Sequence, residues 1–193
     1  MQELWIVAGV LLAIIFLVYG LYVRVIKTRN AALNALSTVD VQLKKRRDLI
    51  GNVLAIAKET MRQEIGLIER VTALRKQAGV EADPGDPDAV SEHLKVENVL
   101  GENMHRLFAL AEAYPEAQFV AAMTKAQATY EEVEGHIAAS RRFYNSAVEQ
   151  LRNVVQIWPS SAIASMLSVK ALPFFEMEPA EREPIQAADV FAS

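Results

Sequence analysis

The stretch Leu4–Val23, twenty consecutive residues without a charged side chain, constrains this chain more than any other feature of its sequence. As a helix rising about 1.5 Å per residue it would span roughly 30 Å, the thickness of a bilayer's hydrocarbon core. Trp5 lies at one end and Tyr19 and Tyr22 at the other, where amphipathic rings favour the membrane interface. The stretch therefore predicts a transmembrane anchor, over residues 1–26.

Two other structures could use such an apolar stretch, and the flanking sequence argues against both. A cleaved signal peptide has a basic residue before the apolar run and a small-x-small site after it, and neither is present. A buried helix of a soluble core rarely stays uncharged over this length. We therefore predict an uncleaved signal anchor.

The cations near the anchor predict its orientation. The only charged groups before the apolar stretch are Glu3 and the amino terminus. Arg24, Lys27 and Arg29 follow it, ahead of the basic run Lys44–Arg47. Positive residues are retained on the cytoplasmic side of a membrane. We expect the N-terminus outside and the main domain in the cytoplasm.

The composition excludes several classes of protein. With 52% hydrophobic and 7% aromatic residues, the chain has enough apolar surface to fold rather than remain disordered. Its net charge of −4 argues against a nucleic-acid partner, which would need a basic surface. The absence of cysteine excludes disulfides, thiolate metal sites and a cysteine nucleophile.

Apolar side chains recur at helical spacing in four stretches, and no stretch has the pattern of a strand. The first continues the anchor helix to about Arg47, and Gly51 is the first predicted turn. The second stretch covers residues 50–79 and the third residues 89–113, with a loop rich in proline, glycine and aspartate between them.

The fourth stretch is the most regular. It follows Pro115, a residue type favoured at the first position of a helix, and it ends at Trp158 and Pro159. Its apolar positions alternate by four and three residues, which is typical of bundle and coiled-coil helices. This seam consists of Phe119, Met123, Ala126, Tyr130, Val133, Ile137, Ser140, Tyr144, Ala147, Leu151, Val154 and Trp158.

These patterns together predict an all-α fold in which the N-terminal transmembrane helix is continuous with a long antiparallel four-helix bundle over residues 27–158. Residues 159–175 hold one charge, Lys170, and several apolar side chains, so we expect them to pack on the bundle or at the membrane interface. Residues 176–193 are acidic and contain proline, which predicts a flexible tail.

Several segments, in order, resemble the LemA family of bacterial membrane proteins. They are Val39–Asn52 (VDVQLKKRRDLIGN), Glu97–Leu100, Ala111–Pro115, Ile137–Asn145 (IAASRRFYN), Trp158–Ala164 (WPSSAIA) and Pro173–Glu176. The sequence departs from the family pattern at Gly51, where the family usually has proline, at Arg47, where an aromatic is common, and at Trp158, where phenylalanine is usual. The resemblance covers nearly the whole chain and implies a single-pass protein of the bacterial inner membrane with a helical bundle.

The candidates for metal or catalytic chemistry are weak. Glu102 and His105 have the Glu-x-x-His spacing of di-iron bundles, but those sites need a second such pair, which is missing. Glu132 and His136 have the spacing of a common surface pair. We therefore predict no catalytic residue, no cofactor and no metal site, and we expect that the protein is not an enzyme. The resemblance does not imply an enzyme.

The polar residues within the family-like segments are expected to be structural. We expect the basic run Lys44–Arg47 to be balanced by neighbouring carboxylates such as Asp40 and Asp48, rather than to bind phosphate or nucleic acid. The other polar residues of these segments are expected to form a hydrogen-bonded layer that fixes the register of the helices. The alternative is that they form a contact surface between subunits. These residues are Asp40, Gln42, Asp48, Asn52, Glu134, Arg141 and Asn145.

Two functions remain. The first is a membrane-anchored helical scaffold that self-assembles at the inner membrane and organises or shapes it; some LemA relatives contribute to internal membrane organisation such as magnetosome biogenesis. The alternative is an adaptor that docks a membrane protease or signalling protein. The expected partners are the lipid bilayer, other copies of the chain and other membrane proteins, with no nucleic acid. A scaffold predicts many identical copies, whereas an adaptor predicts one or two copies with a foreign partner.

Overall fold

A computed structural model describes residues 2–176, and these residues form helices without a strand among them. In chain order the structure consists of α1 (Gln2–Thr60), a single 3-10 turn (Arg62–Glu64), α2 (Ile65–Ala78), α3 (Pro87–Ala111), α4 (Ala117–Gln156) and α5 (Ser160–Met166). The prediction of an all-helical protein is confirmed, and the four-helix bundle stays a prediction. Apart from Glu176, the predicted acidic tail lies outside the described residues.

No other part of residues 2–176 packs around the first third of α1. Every side chain from residue 2 to residue 20 is exposed, and the first fully buried side chain is Val25. Among residues 2–176, α1 is the one helix long and apolar enough to cross a membrane, by length and composition. The helix continues into the folded domain without a break.

The folded domain is organised around the packing of α1 on α4. Residues 25–43 of α1 share a core with residues 133–154 of α4, and residues 50–61 share another core with residues 119–130. The two helices are therefore antiparallel. We call the first core, next to the exposed end of α1, the proximal core, and the second the distal core. The helices α2 and α3 pack on each other and contribute most of their buried side chains to the distal core.

The apolar seam of α4 is buried as predicted through Val154, with Ala126 half-buried. Trp158 breaks the pattern, because α4 ends at Gln156 and the indole is 80% exposed. The prediction that Pro115 is the first helical residue was wrong. Glu116 has an extended backbone (φ −62°, ψ 117°) and forms the N-cap, so the helix begins at Ala117.

The predicted turn at Gly51 was also wrong, because α1 continues through it to Thr60. A Cβ atom at Gly51 would lie 2.8 Å from Nη2 of Arg75 in α2. The missing side chain therefore lets the Arg75 guanidinium lie directly against α1. From there Arg75 Nε donates to the backbone oxygen of Arg47 at 2.6 Å. The glycine serves a close approach between helices rather than a turn.

The chain reverses ten residues later, at Met61, where the sequence has neither glycine nor proline. Met61 leaves the helical conformation (φ −86°, ψ 52°), and its side chain is fully buried in the distal core. This break lets Ile68 and Val71 of α2 pack beside the last turns of α1. The predicted second stretch, residues 50–79, is therefore divided between α1 and α2.

The loop before α3 agrees with its prediction. Asp86 is the N-cap, and its side chain accepts a hydrogen bond from the backbone N–H of Asp88 at 3.0 Å. Pro87 occupies the first helical position, where its missing N–H costs nothing. The loop is present as predicted, but α3 begins at Pro87, two residues before the predicted start at residue 89.

Candidate functional site

A layer of charged side chains lies between the proximal and distal cores. It consists of Arg46 and Arg47 from α1, Glu97 from α3 and Glu134 from α4, and we call it the ionic layer. Arg46 is 4% exposed and Glu97 is fully buried. The layer joins three helices at the middle of the α1–α4 pair.

Hydrogen bonds and ion pairs within this layer give each of its buried charged groups an oppositely charged partner. Arg46 Nη2 donates to Glu97 Oε2 and to the Glu97 backbone oxygen, both at 2.6 Å, and Arg46 Nη1 donates to Glu134 Oε1 at 3.0 Å. Arg47 Nη1 donates to the other carboxylate oxygen of Glu97. A buried carboxylate held by two guanidinium groups keeps its charge compensated, which offsets the cost of removing the ions from water.

Both buried charges occupy core-facing positions in their helices. Arg46 lies three residues after Leu43 and four before Ile50, both fully buried, and Glu97 lies midway between the buried Leu94 and Leu100. A polar residue at such a position must find partners in the interior. Sequence reasoning missed the pair, although a charge at an apolar position of the helical pattern was the available signal.

Electrostatics in the layer favour a protonated Arg46 and a neutral Tyr130. Burial alone would lower the pKa of Arg46, but the neighbouring carboxylates of Glu134 and Glu97 raise it above its ordinary value. Burial raises the pKa of Tyr130, and the neighbouring Arg46 only partly opposes this. The raised pKa values keep Arg46 charged and Tyr130 neutral near neutral pH.

A second polar cluster holds the chain after α5. Ser168 adopts a left-handed backbone (φ 53°) beyond the end of α5, and residues 169–176, which we call the strap, return along α4. Asn145 Nδ2 donates to the Phe175 backbone oxygen at 2.9 Å, and the Phe175 N–H donates to Asn145 Oδ1 at 2.8 Å. Tyr144 donates its hydroxyl proton to the Pro173 backbone oxygen at 2.7 Å. Six polar atoms, three from α4 and three from the strap, are thereby satisfied.

Aromatic and apolar contacts reinforce the strap. Phe175 is 2% exposed and lies in the proximal core, together with Val169 and Leu172. The Arg152 guanidinium lies 4.5 Å from the centre of the Phe174 ring, and that of Arg141 lies 5.8 Å from the Phe175 ring. The strap is therefore part of the folded domain.

The polar residues predicted to form one layer lie in several places. Glu134 joins the ionic layer, Asn145 holds the strap, and Asp48 and Asn52 are exposed. His93 Nε2 lies 3.6 Å from Asp40 Oδ1. Gln42 has a buried side-chain oxygen without a hydrogen bond among the described residues.

The basic run is balanced by other carboxylates than those predicted. Arg46 and Arg47 pair with Glu97 and Glu134, rather than with Asp40 or Asp48, since both arginines turn toward the interior. The carboxylates that meet them come from α3 and α4, distant in sequence, so local spacing did not indicate them.

The Glu-x-x-His candidate lies on the solvent side of α3, with both Glu102 and His105 exposed. Glu132 and His136 form an exposed pair at 3.9 Å on α4. Within residues 2–176, no group of three or more potential ligands is placed to hold a metal ion.

An open cleft of about 420 Å³ lies between α1 and the loop that precedes α3. Asp40, Lys44, Arg47 and His93 supply its polar side chains, and Leu36, Val80 and Val90 are among its apolar ones. Its size falls within the range of sites for small ligands or peptide segments.

Comparison with known proteins places the chain in a family. The family model described as the LemA family matches residues 35–188. The chain is 24% identical over 176 residues to magnetosome protein MamQ 2 of Paramagnetospirillum magneticum, and 23% identical over 175 residues to magnetosome protein MamQ of Magnetospirillum gryphiswaldense. Each match covers 80% of this chain and 64% of the relative, so the chain spans less than two thirds of the relatives' length.

The match agrees with the residues that carried the resemblance. It includes the segment from Val39 to Asn52, which supplies both arginines of the ionic layer, and the segment from Ile137 to Asn145, which ends in the residue that holds the strap. The segment that begins at Glu97 supplies the buried carboxylate. Since the family model matches well over half of the sequence, the chain belongs to the LemA family.

Proposed function

We propose that this protein is a membrane-anchored helical scaffold that self-assembles at the inner membrane and organises or shapes it, as a structural protein rather than an enzyme. The observation that carries the proposal is the continuity of α1. One helix of 59 residues contains both the exposed apolar stretch and the residues that pack on α4. The folded domain, which we call the rod, is joined to the apolar stretch without a flexible linker. A membrane that holds the apolar stretch would therefore also orient the rod.

The ionic layer supports a rod of defined shape. In this proposal residues 27–158 form an antiparallel bundle whose register is set where α1, α3 and α4 meet at Arg46. A one-turn slip between these helices would leave a buried charge without its partner, which is costly. Every copy would then present the same lateral surface.

Two further observations favour assembly through the rod. Val41 is 51% exposed and Phe143 is 62% exposed, beyond the predicted span, and large apolar side chains of this kind suit lateral contacts between copies. An anchor restricts all copies to one plane, which raises their effective concentration. Relatives named as magnetosome proteins support a role at an internal membrane.

Disulfide trapping tests self-assembly, because the chain has no cysteine of its own. We expect the variants Val41→Cys and Phe143→Cys, oxidised in native membranes, to form cross-linked dimers, and the double variant to form a ladder of larger species. Ala147→Cys, at a buried position of α4, is the matched control and should stay monomeric. Monomers at both exposed positions would contradict assembly through this part of the rod.

The adaptor is the second candidate, and the cleft beside α1 is the observation that favours it. The cleft combines apolar walls with Asp40, Lys44 and His93, a lining suited to a segment of a membrane protease or signalling protein. In the same experiment, Ser37→Cys at its rim would then cross-link to a foreign chain instead of to a second copy.

The proposed orientation has the N-terminus outside and the folded domain in the cytoplasm, supported by Arg24, Lys27 and Arg29 after the apolar stretch. We expect an impermeant maleimide added to spheroplasts to label Gln2→Cys but not Ser37→Cys, and to label both after lysis. The reverse pattern in intact spheroplasts would overturn the orientation.

A further inference from the structure

The end of the folded domain nearest the apolar stretch carries large apolar side chains that nothing in the described chain covers. Trp158 is 80% exposed, Met166 is 82% exposed and Ile157 is 59% exposed, and Leu167 is 38% exposed. Met166 is the last residue of α5 and the other three flank it, whereas Ser160 is buried and Ala164 lies in the proximal core. One side of α5 is therefore packed on the domain, and its flanks are left exposed.

The register of α1 and α4 places these residues at the end of the predicted membrane span. Arg46 and Glu134 are in contact at 3.0 Å, and the two helices are antiparallel. Gln156 lies as many residues beyond Glu134 as Arg24 lies before Arg46. Since both helices rise by the same amount per residue, the end of α4 comes level with Arg24, where the apolar stretch ends. The contact of α5 with α1 agrees with this placement.

The segments of α1, α4, α5 and the strap that form this end carry charges of one sign. Residues 4–39 and 150–175 contain no aspartate or glutamate, although the whole chain carries a net charge of −4. Exposed cations lie on α1 after the apolar stretch and at the start of the strap, and anionic headgroups attract such cations. They are Arg24, Lys27, Arg29 and Lys170.

We propose that Ile157, Trp158, Met166 and Leu167 form a second membrane contact, which inserts into the interface of the same anionic bilayer that α1 spans. Trp and Met side chains beside cations match the chemistry of an interfacial surface. The contact rests on the proposed anchoring by α1. It would fix the tilt of the rod against the bilayer, because one rigid body would then touch the membrane at two places.

Tryptophan fluorescence tests the contact in the full-length protein, which has two tryptophans, Trp5 and Trp158. The variant Trp5→Phe reports on Trp158 alone, and the matched variant Trp158→Phe reports on Trp5 in the anchor. Each is reconstituted in vesicles of phosphatidylcholine and phosphatidylglycerol, with and without lipid brominated near the headgroup. We expect brominated lipid to quench both tryptophans, and we expect Met166→Gln with Leu167→Gln to reduce the quenching of Trp158.

The two reporters separate the contact from the anchor. Quenching of Trp5 without quenching of Trp158 would overturn the contact and leave the anchor intact. If Trp158 were shielded from acrylamide but not quenched by brominated lipid, a second copy would cover the surface, and the contact would again be overturned. If neither tryptophan were quenched, both the anchor and the contact would fail.

Discussion

At the scale of single residues, the buried pair of Arg46 and Glu97 distinguishes this rod from a simple apolar bundle. The guanidinium contacts both a carboxylate oxygen and the backbone oxygen of Glu97, so it fixes the position of α3 along α1 as well as its side chain. Apolar side chains alone would permit neighbouring registers with similar burial. The pair therefore contributes more to specificity than to net stability.

Glu97→Gln should destabilise the domain by about 3–5 kcal/mol, because Arg46 would stay buried without its main anionic partner. Glu134→Gln is the matched control: the side chain of Glu134 is 28% exposed, so Arg46 loses a partner that solvent partly replaces, and the loss should be smaller. Thermal unfolding of full-length protein in detergent, followed by circular dichroism, measures both. If Glu97→Gln and the unmodified chain had the same melting temperature, the ionic layer would not stabilise the fold as we describe.

Residue-level contacts between distant segments were the part that the sequence could not reveal. Arg46 and Glu97 are separated by 51 positions, and helical periodicity carries no information about which charges meet across helices. Two of the predicted polar positions, Glu134 and Asn145, make structural contacts, although the sequence did not indicate their partners. They failed at Asp48 and Asn52, which lie on the solvent side of α1.

At the scale of elements, the strap tests whether the chain after α5 is held by specific contacts. Asn145→Ala removes two hydrogen bonds worth about 1 kcal/mol each, and should release residues 169–176 without melting α4. Limited chymotrypsin digestion followed by mass spectrometry should then detect cleavage after Phe174 and Phe175. Asn153→Ala, at an exposed position of α4, should digest like the unmodified chain.

Equal resistance of Asn145→Ala and the unmodified chain would contradict this role of Asn145. Burial of Phe175 alone would then be sufficient to hold the strap.

The helices themselves could largely be predicted, because their apolar periods are long and regular. The seam of α4 is buried from Phe119 to Val154, and α3 begins within two residues of its predicted start. The ends of α1 could not be predicted in the same way. Gly51 resembles a breaker but accommodates Arg75, and Met61 ends the helix although its side chain gives no local signal. In both cases packing between helices overrides local preference.

At the scale of the whole molecule, one continuous helix joins the apolar stretch to the folded domain. The apolar stretch, the proximal core, the ionic layer and the distal core follow one another along α1. A continuous helix of this kind suits the proposed scaffold, which would hold a fixed orientation at the membrane and contact neighbouring copies. Anchored rods of uniform shape can pack side by side, and such a layer would stiffen or bend the membrane beneath it.

The most direct test of the central claim is the mass of the full-length protein in mild detergent, measured by light scattering with negative-stain imaging of the same peak. We predict a large, uniform assembly of identical chains, which separates into smaller species when Val41 and Phe143 are both replaced by glutamate. A monomer or dimer of the unmodified chain would contradict the scaffold, and co-purification of a foreign membrane protein with it would favour the adaptor.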